Sequence, residues 1–324
     1  MIWLTWRQYR MEALISGGLL AALGLLLVTT GIDMANAFQS AGVGHCLTPQ
    51  SEGVTCGVII DSFTRRFGAL AGMTGWLNFL PLGLAVLLAA PFVIELEHGT
   101  YRLAWTQSIT RTRWLTIRLL VIGAAAIAAS LVFTLMMTWW RGPWDQLDGR
   151  LQPNNAFDFE GLMPTAYLLF AVALILLLGT LLRRTVPALG IAAVVYVVTR
   201  LSVQSFVRPN FLAPLADRGG GSPAFSRLDW QLGGGGFMDR HGHALSDDFV
   251  LNLCASKPGG PTAAQRQPKD AFINCLHSHG ISQFTTFQPA NRFWTFQAME
   301  ATLYLGLIAL LIGVTVWWVR RRLT

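Results

Sequence analysis

Five residues in the last third of this 324-residue sequence carry side chains that could hold a metal: His241 and His243, then Cys275, His277 and His279. Two His-x-His pairs with a thiolate would offer borderline-soft ligands. The surroundings argue against that use. Gly242 and the run Gly233 to Gly236 loosen the backbone around the first pair, and none of the usual zinc spacings is matched. Cys275 also has other cysteines to pair with, so no metal is expected. The cysteines are Cys46, Cys56, Cys254 and Cys275. Four allow three pairings. The local ones, Cys46–Cys56 and Cys254–Cys275, are the simplest, and each would constrain a loop with little core of its own. Nucleotide hydrolysis fails on residue type. A phosphate-binding loop needs Gly-x-x-x-x-Gly-Lys followed by Ser or Thr. The lysines here are Lys257, followed by Pro258, and Lys269, followed by Asp270.

The chain that positions these residues does not have the composition of a soluble domain. Charged residues are 13% and hydrophobic residues 53% of the sequence, against about 25% charged in soluble domains. The apolar residues gather in uncharged windows at Leu14–Ile32, Phe67–Ile94, Leu119–Trp140, Gly161–Leu182 and Ala301–Val319. A sixth runs from Thr185 to near Val207, interrupted only by Arg200. Crossing about 30 Å of hydrocarbon takes roughly 20 apolar residues, and the short alternating segments of a membrane β-barrel are absent. An all-α membrane protein with six transmembrane helices is expected. The first window follows Arg7 and Arg10, and Ala35-Asn36-Ala37 has the look of a leader cleavage site. Its apolar run is 19 residues, longer than the usual 7–15 of a leader, so it is kept as a span.

Charge sets the expected orientation. With both termini in the cytoplasm, Arg7, Arg10, Arg102, Arg111, Arg113, Arg118, Arg183, Arg184 and Arg320 to Arg322 share that side with Glu12, Glu95 and Glu97. Eleven basic residues then face three acidic ones, while 13 basic and 14 acidic residues lie opposite. The net charge of +7 is thus entirely cytoplasmic, as the positive-inside rule requires for a protein of the cell membrane. The basic total is a topology signal, and no nucleic-acid partner is expected.

Three divisions follow: 1–207 with five spans, 208–297 as a large extracellular insertion, and 298–324 with the last span and a basic tail. All four cysteines fall on the extracellular side, an oxidising environment that favours disulfides. Away from their ends the spans hold no His, Asp, Glu or Lys. Proton-coupled carriage and intramembrane hydrolysis usually need such groups at mid-membrane, so both readings are set aside. Arg200 stands about 24 Å along its span at 1.5 Å per residue. From there it could snorkel to the interface, pair with Glu300 across the membrane edge, or meet an anionic cargo group.

One cytoplasmic segment, 95–114 between the second and third spans, is the most informative. It contains Glu97-His98-Gly99-Thr100, then Leu103, Thr106-Gln107-Ser108, and Arg111-Thr112-Arg113-Trp114. Gly99 permits a sharp turn after the span. Leu103, Thr106, Gln107 and Thr110 share one face of a short helix by i, i+3, i+4 spacing. This segment resembles the coupling segment of permease subunits of ABC exporters. More narrowly, it is similar to the type-two drug and polysaccharide permeases with the type V exporter fold, in an actinobacterial branch. The start, Trp3, Trp6, Arg7, Tyr9 and Arg10, resembles that branch's interfacial N-terminal helix and independently fits an amphipathic interfacial helix. The stretch from Gln288 to Trp294, and on through Trp317, Trp318 and Arg320 to Arg322, resembles its last span.

The resemblance implies a permease that is not catalytic by itself. It implies two ABC ATPase subunits per complex, which bind ATP and magnesium in place of this chain. It further implies a second permease copy, as homodimer or with a related chain. Coupling would run through Glu97, Gly99, Thr100, Leu103, Thr106, Gln107, Ser108, Arg111 and Arg113. The long insertion departs from the family's short hairpin before the last span. The alternative expectation is a membrane-anchored sensor or scaffold whose extracellular domain binds a ligand.

Overall fold

The computed structural model of the chain describes residues 2–48, 54–100, 110–153, 156–217, 226–233, 235–254 and 269–322. They form two compact units, 1–211 with 293–324, and 212–292.

The first unit is helical. Helix α1 (Ile2–Ser40) runs unbroken for 39 residues, about 58 Å at 1.5 Å per residue. The stretch expected as a separate interfacial helix is therefore continuous with the first span, because neither Gly nor Pro stands between Arg10 and Leu14. Gly42, left-handed at φ 65°, leads into a 3-10 segment, Val43–Leu47. That segment delivers Cys46 to Cys56 in α2 (Val54–Met73). A 3-10 segment, Thr74–Phe79, separates α2 from α3 (Leu80–Glu97), where Pro81 sits in the first turn and its missing N–H costs nothing. Then come α4 (Arg111–Asp148), the one-turn α5 (Ala156–Phe159), α6 (Met163–Leu182) and α7 (Thr185–Ser202). The first unit closes with α10 (Phe293–Arg322). Among the described residues six stretches, 10–40, 55–97, 111–148, 163–182, 185–210 and 290–322, are long and apolar enough to cross a membrane. The chain is a multi-pass membrane protein.

Helix α6 is central: it packs on α3, α4, α7 and α10 and is apolar all round, as a helix without a lipid face must be. Its contact with α3 depends on Gly179, where an added Cβ would come within 2.5 Å of Val93 Cγ2. Small residues at such crossings let membrane helices approach closely. Gly179→Ala is expected to destabilise the bundle by about 1–3 kcal/mol through overpacking. Gly123→Ala, whose Cβ would meet nothing within 4 Å, is expected to be neutral. Thermal unfolding of the two purified variants checks the contrast. Arg183 ends α6 in the left-handed region at φ 51°, so Arg183 and Arg184 alone connect α6 to α7.

The second unit adds a small sheet that the all-α expectation did not contain. Strand β5 (Ser282–Gln288) pairs antiparallel with β1 (Leu215–Asp217), β2 (Trp230–Gln231) and β3 (Gly236–Met238), and β3 pairs with β4 (Ala244–Leu245). The sequence Phe284-Thr285-Thr286-Phe287 carries the aromatic and β-branched residues that favour a strand. Helices α8 (Asp247–Cys254) and α9 (Lys269–Ser278) complete it. Val250, Cys254, Leu276 and Ile281 are its core. Both disulfides form as the local pairing, with Cα–Cα distances of 5.2 Å for Cys46–Cys56 and 5.7 Å for Cys254–Cys275. The unit's limits, 212 and 292, lie inside the expected 208–297, since Arg208, Phe293, Phe296 and Gln297 are buried in the helical unit.

Candidate functional site

Two places in the helical unit concentrate polar side chains. The first is where α3 ends and α4 begins. Gly99 takes φ 70° and turns the chain after α3. Thr110, extended at ψ 143°, caps α4 by accepting from the Arg113 N–H at 3.3 Å. Thr110 therefore belongs to the start of α4. Arg111 and Arg113 are exposed on the first turn of α4. Three contacts bind this corner to its neighbours. Arg118 Nη2 donates to Glu95 Oε2 at 2.7 Å, and Trp114 stacks on Phe92 with centroids 5.5 Å apart. Glu97 Oε2 accepts from the Thr185 N–H at 2.9 Å and from its hydroxyl at 2.5 Å. The last residue of α3 thus caps the first turn of α7, supplying the carboxylate that a helix N-terminus favours. A cavity of about 330 Å³ lies here among Glu12, Glu95, His98, Thr100 and Arg118.

Leu103, Thr106, Gln107 and Ser108 lie outside the described residues. So do the side chains of Trp3, Trp6, Arg7 and Tyr9, while Arg10 is exposed on α1.

The second place is a buried polar cluster at the opposite ends of the helices. It is assembled by two irregularities. The short α5 folds Asp158 into the bundle, and α7 widens into a π-helical turn, Val203–Val207, before Arg208. Arg208 Nε donates to Glu300 Oε2 at 2.7 Å and its Nη2 to Glu300 Oε1 at 3.0 Å and Asp158 Oδ1 at 2.7 Å. The Tyr167 hydroxyl lies 2.7 Å from Glu300 Oε1 and 3.1 Å from Asp158 Oδ1. Arg200 sits over the Tyr167 ring at 3.5 Å and donates to Asn78 Oδ1 at 2.9 Å. Nearby, Gln297 donates to the carbonyls of Phe157 and Glu160 and accepts from the Leu162 N–H, which closes the link between α5 and α6.

Glu300, one of the three destinations considered for Arg200, is bonded by Arg208, because the π turn swings Arg208 inward. Arg200 is buried instead of snorkelling, since Asn78 and the Tyr167 ring receive it. Arg208, Asp158 and Tyr167 were missed because Arg208 and Asp158 stand just outside the apolar windows and Tyr167 carries no charge. The run Ala156-Phe157-Asp158-Phe159, apolar around one carboxylate, was the available signal.

In the second unit His241 and His243 are exposed in the β3–β4 turn. Asp239 accepts from the His241 and His243 N–H groups at 2.8 and 2.9 Å and lies 3.2 Å from His243 Nδ1. These bonds, the His243 backbone first, hold the Asp239 carboxyl below its ordinary range. His279 Nδ1 comes within 3.7 Å of Cys275 Sγ, but that sulfur is in a disulfide and is no thiolate ligand.

Six apolar helices, with a polar corner at one end and a charged layer at the other, define a polytopic membrane protein. The sequence profile of the ABC-2 membrane transporter related family matches residues 17–208, more than half of the chain. The chain belongs to that family, and is a permease-type membrane component of a transporter. No curated protein and no solved structure gives a match.

Proposed function

We propose that this chain is the permease subunit of an ATP-driven exporter with the type V fold. It moves cargo out of the cytoplasm or the inner leaflet, coupled to a separate ATPase. Two copies, or this chain and a related one, work with two ATPase subunits that bind ATP and magnesium. Both termini are cytoplasmic, and the segment 95–114 receives the ATPase. The family match over 17–208 carries this reading. The corner around Gly99 supports it. Force applied there reaches α4 through Glu95–Arg118 and α7 through Glu97–Thr185, so one docking point acts on three helices.

The test is affinity purification of the chain from its native membrane with mass spectrometry of its partners. A stoichiometric ATPase with a Gly-Lys-Ser/Thr loop supports the exporter. A kinase, or no partner, overturns it in favour of a membrane-anchored sensor, a reading that the separate core of 212–292 favours. Within the complex, Gly99→Pro is expected to abolish most cargo-dependent ATPase activity while insertion is retained, because proline cannot adopt φ 70°. Unchanged activity of that variant would remove Gly99 from the coupling path.

A further inference from the structure

A cavity of about 150 Å³ opens between the 3-10 segment Thr74–Phe79 and the last turns of α7. Asn78 and Phe79 line one side of it, and Tyr196, Arg200, Leu201 and Gln204 the other. Two buried polar atoms of these residues have no hydrogen-bond partner among the described residues: Nη1 of Arg200 and the hydroxyl of Tyr196. Arg200 is 8% exposed and Tyr196 is 2% exposed. Leaving such groups unpaired costs about 1–3 kcal/mol each, more when charged, so an occupant that accepts from both is favoured.

Two neighbouring acceptors are already committed. Asn78 Oδ1 accepts from Arg200 Nη2 at 2.9 Å, and its amide donates to the Gly75 carbonyl at 3.1 Å. The nearest carboxylate oxygen, Asp158 Oδ1, is 3.7 Å from Arg200 Nη2 and is bonded at 2.7 Å by Arg208. Among the described residues the nearest carboxylate thus stands beyond hydrogen-bond distance of Arg200, in a setting where guanidinium favours a planar or tetrahedral oxyanion. The approach to the cavity is apolar. Phe79 and Leu201 are exposed at its rim, as are Trp76 and Phe206 on the same two segments. Surfaces of this kind on a membrane protein face lipid.

We propose that this cavity binds the oxyanion head of a membrane-resident amphipathic molecule. A phosphate or carboxylate accepts from Arg200 Nη1 and the Tyr196 hydroxyl, while the apolar body lies against Phe79 and Leu201. The site rests on this geometry alone and holds whether or not an ATPase drives the chain.

The test is thermal unfolding of the full purified chain titrated with dioleoylphosphatidate, oleate, dioleoylglycerol or inorganic phosphate. Saturable stabilisation by phosphatidate or oleate, with none from the uncharged glyceride, is expected. Tyr196→Phe, which removes one oxygen, is expected to raise the half-saturating concentration about tenfold, and Arg200→Gln to abolish the response. Should Arg200→Gln fail to fold, Tyr196→Phe decides alone. Equal stabilisation by the glyceride, or an unchanged titration in Tyr196→Phe, overturns the site. Inorganic phosphate acting as strongly as phosphatidate overturns its lipid source.

Discussion

Arg208→Met is expected to lower the stability of the helical unit by about 3–5 kcal/mol, the usual cost of removing one partner from a buried charge pair. Arg208 grips both oxygens of Glu300 and also bonds Asp158 at 2.7 Å. Without it two buried carboxylates are left with Arg200, which comes no nearer to Asp158 than 3.7 Å. Heating of detergent-purified protein followed by size exclusion measures the loss. Adding Asp158→Asn and Glu300→Gln to Arg208→Met is expected to recover most of it, because what costs is an uncompensated charge and not the missing attraction. An unchanged melting temperature in Arg208→Met would mean that the cluster is not holding α5, α7 and α10 together.

Opening the Cys254–Cys275 disulfide is expected to unfold the second unit while the helices persist. The bond spans 21 residues, and closing a loop of that size stabilises by about 3 kcal/mol in the chain-entropy treatment. The core it supports is small, four buried side chains with Phe237, Leu245, Phe272 and Cys275 packed around them, so the loss is large relative to what remains. Hydrogen exchange of Cys254→Ser/Cys275→Ser should show protection lost across 212–292 and kept in α6 and α10. Loss of protection in α6 as well would mean that the two units fold as one.

The spans and the disulfides were legible in the sequence for the same reason. Hydrocarbon demands long uncharged windows, and four cysteines close together in pairs leave local bridging as the simplest solution. The charged layer was much less legible. Asp158 lies in a connection that hydropathy assigns to water, and only its fold back as α5 carries it inside. The inward turn of Arg208 depends on a π-helical irregularity that leaves no mark in residue type. Arg200 was singled out correctly as unusual, but its partner Asn78 is neutral and 122 positions away. The sheet was partly readable in Phe284 to Phe287, whose aromatic and β-branched residues favour a strand, but its partners are strands of two or three residues far away in the sequence.

One consequence of the cap and the cluster concerns bilayer thickness. Helix α7 is fixed at Thr185 by Glu97 and, past its π turn, at Arg208 by Glu300 and Asp158. The distance between these points is about 35 Å at 1.5 Å per residue. A span held at both ends cannot shift along its axis to follow the lipid, so mismatch must be met by tilting or by deforming the bilayer. The two ends are unequally held: Glu97 is exposed and the Arg208 cluster is buried. Shorter lipids would therefore work first on the α3–α7 cap, which makes acyl-chain length a physical variable acting at the same end of the bundle as Gly99.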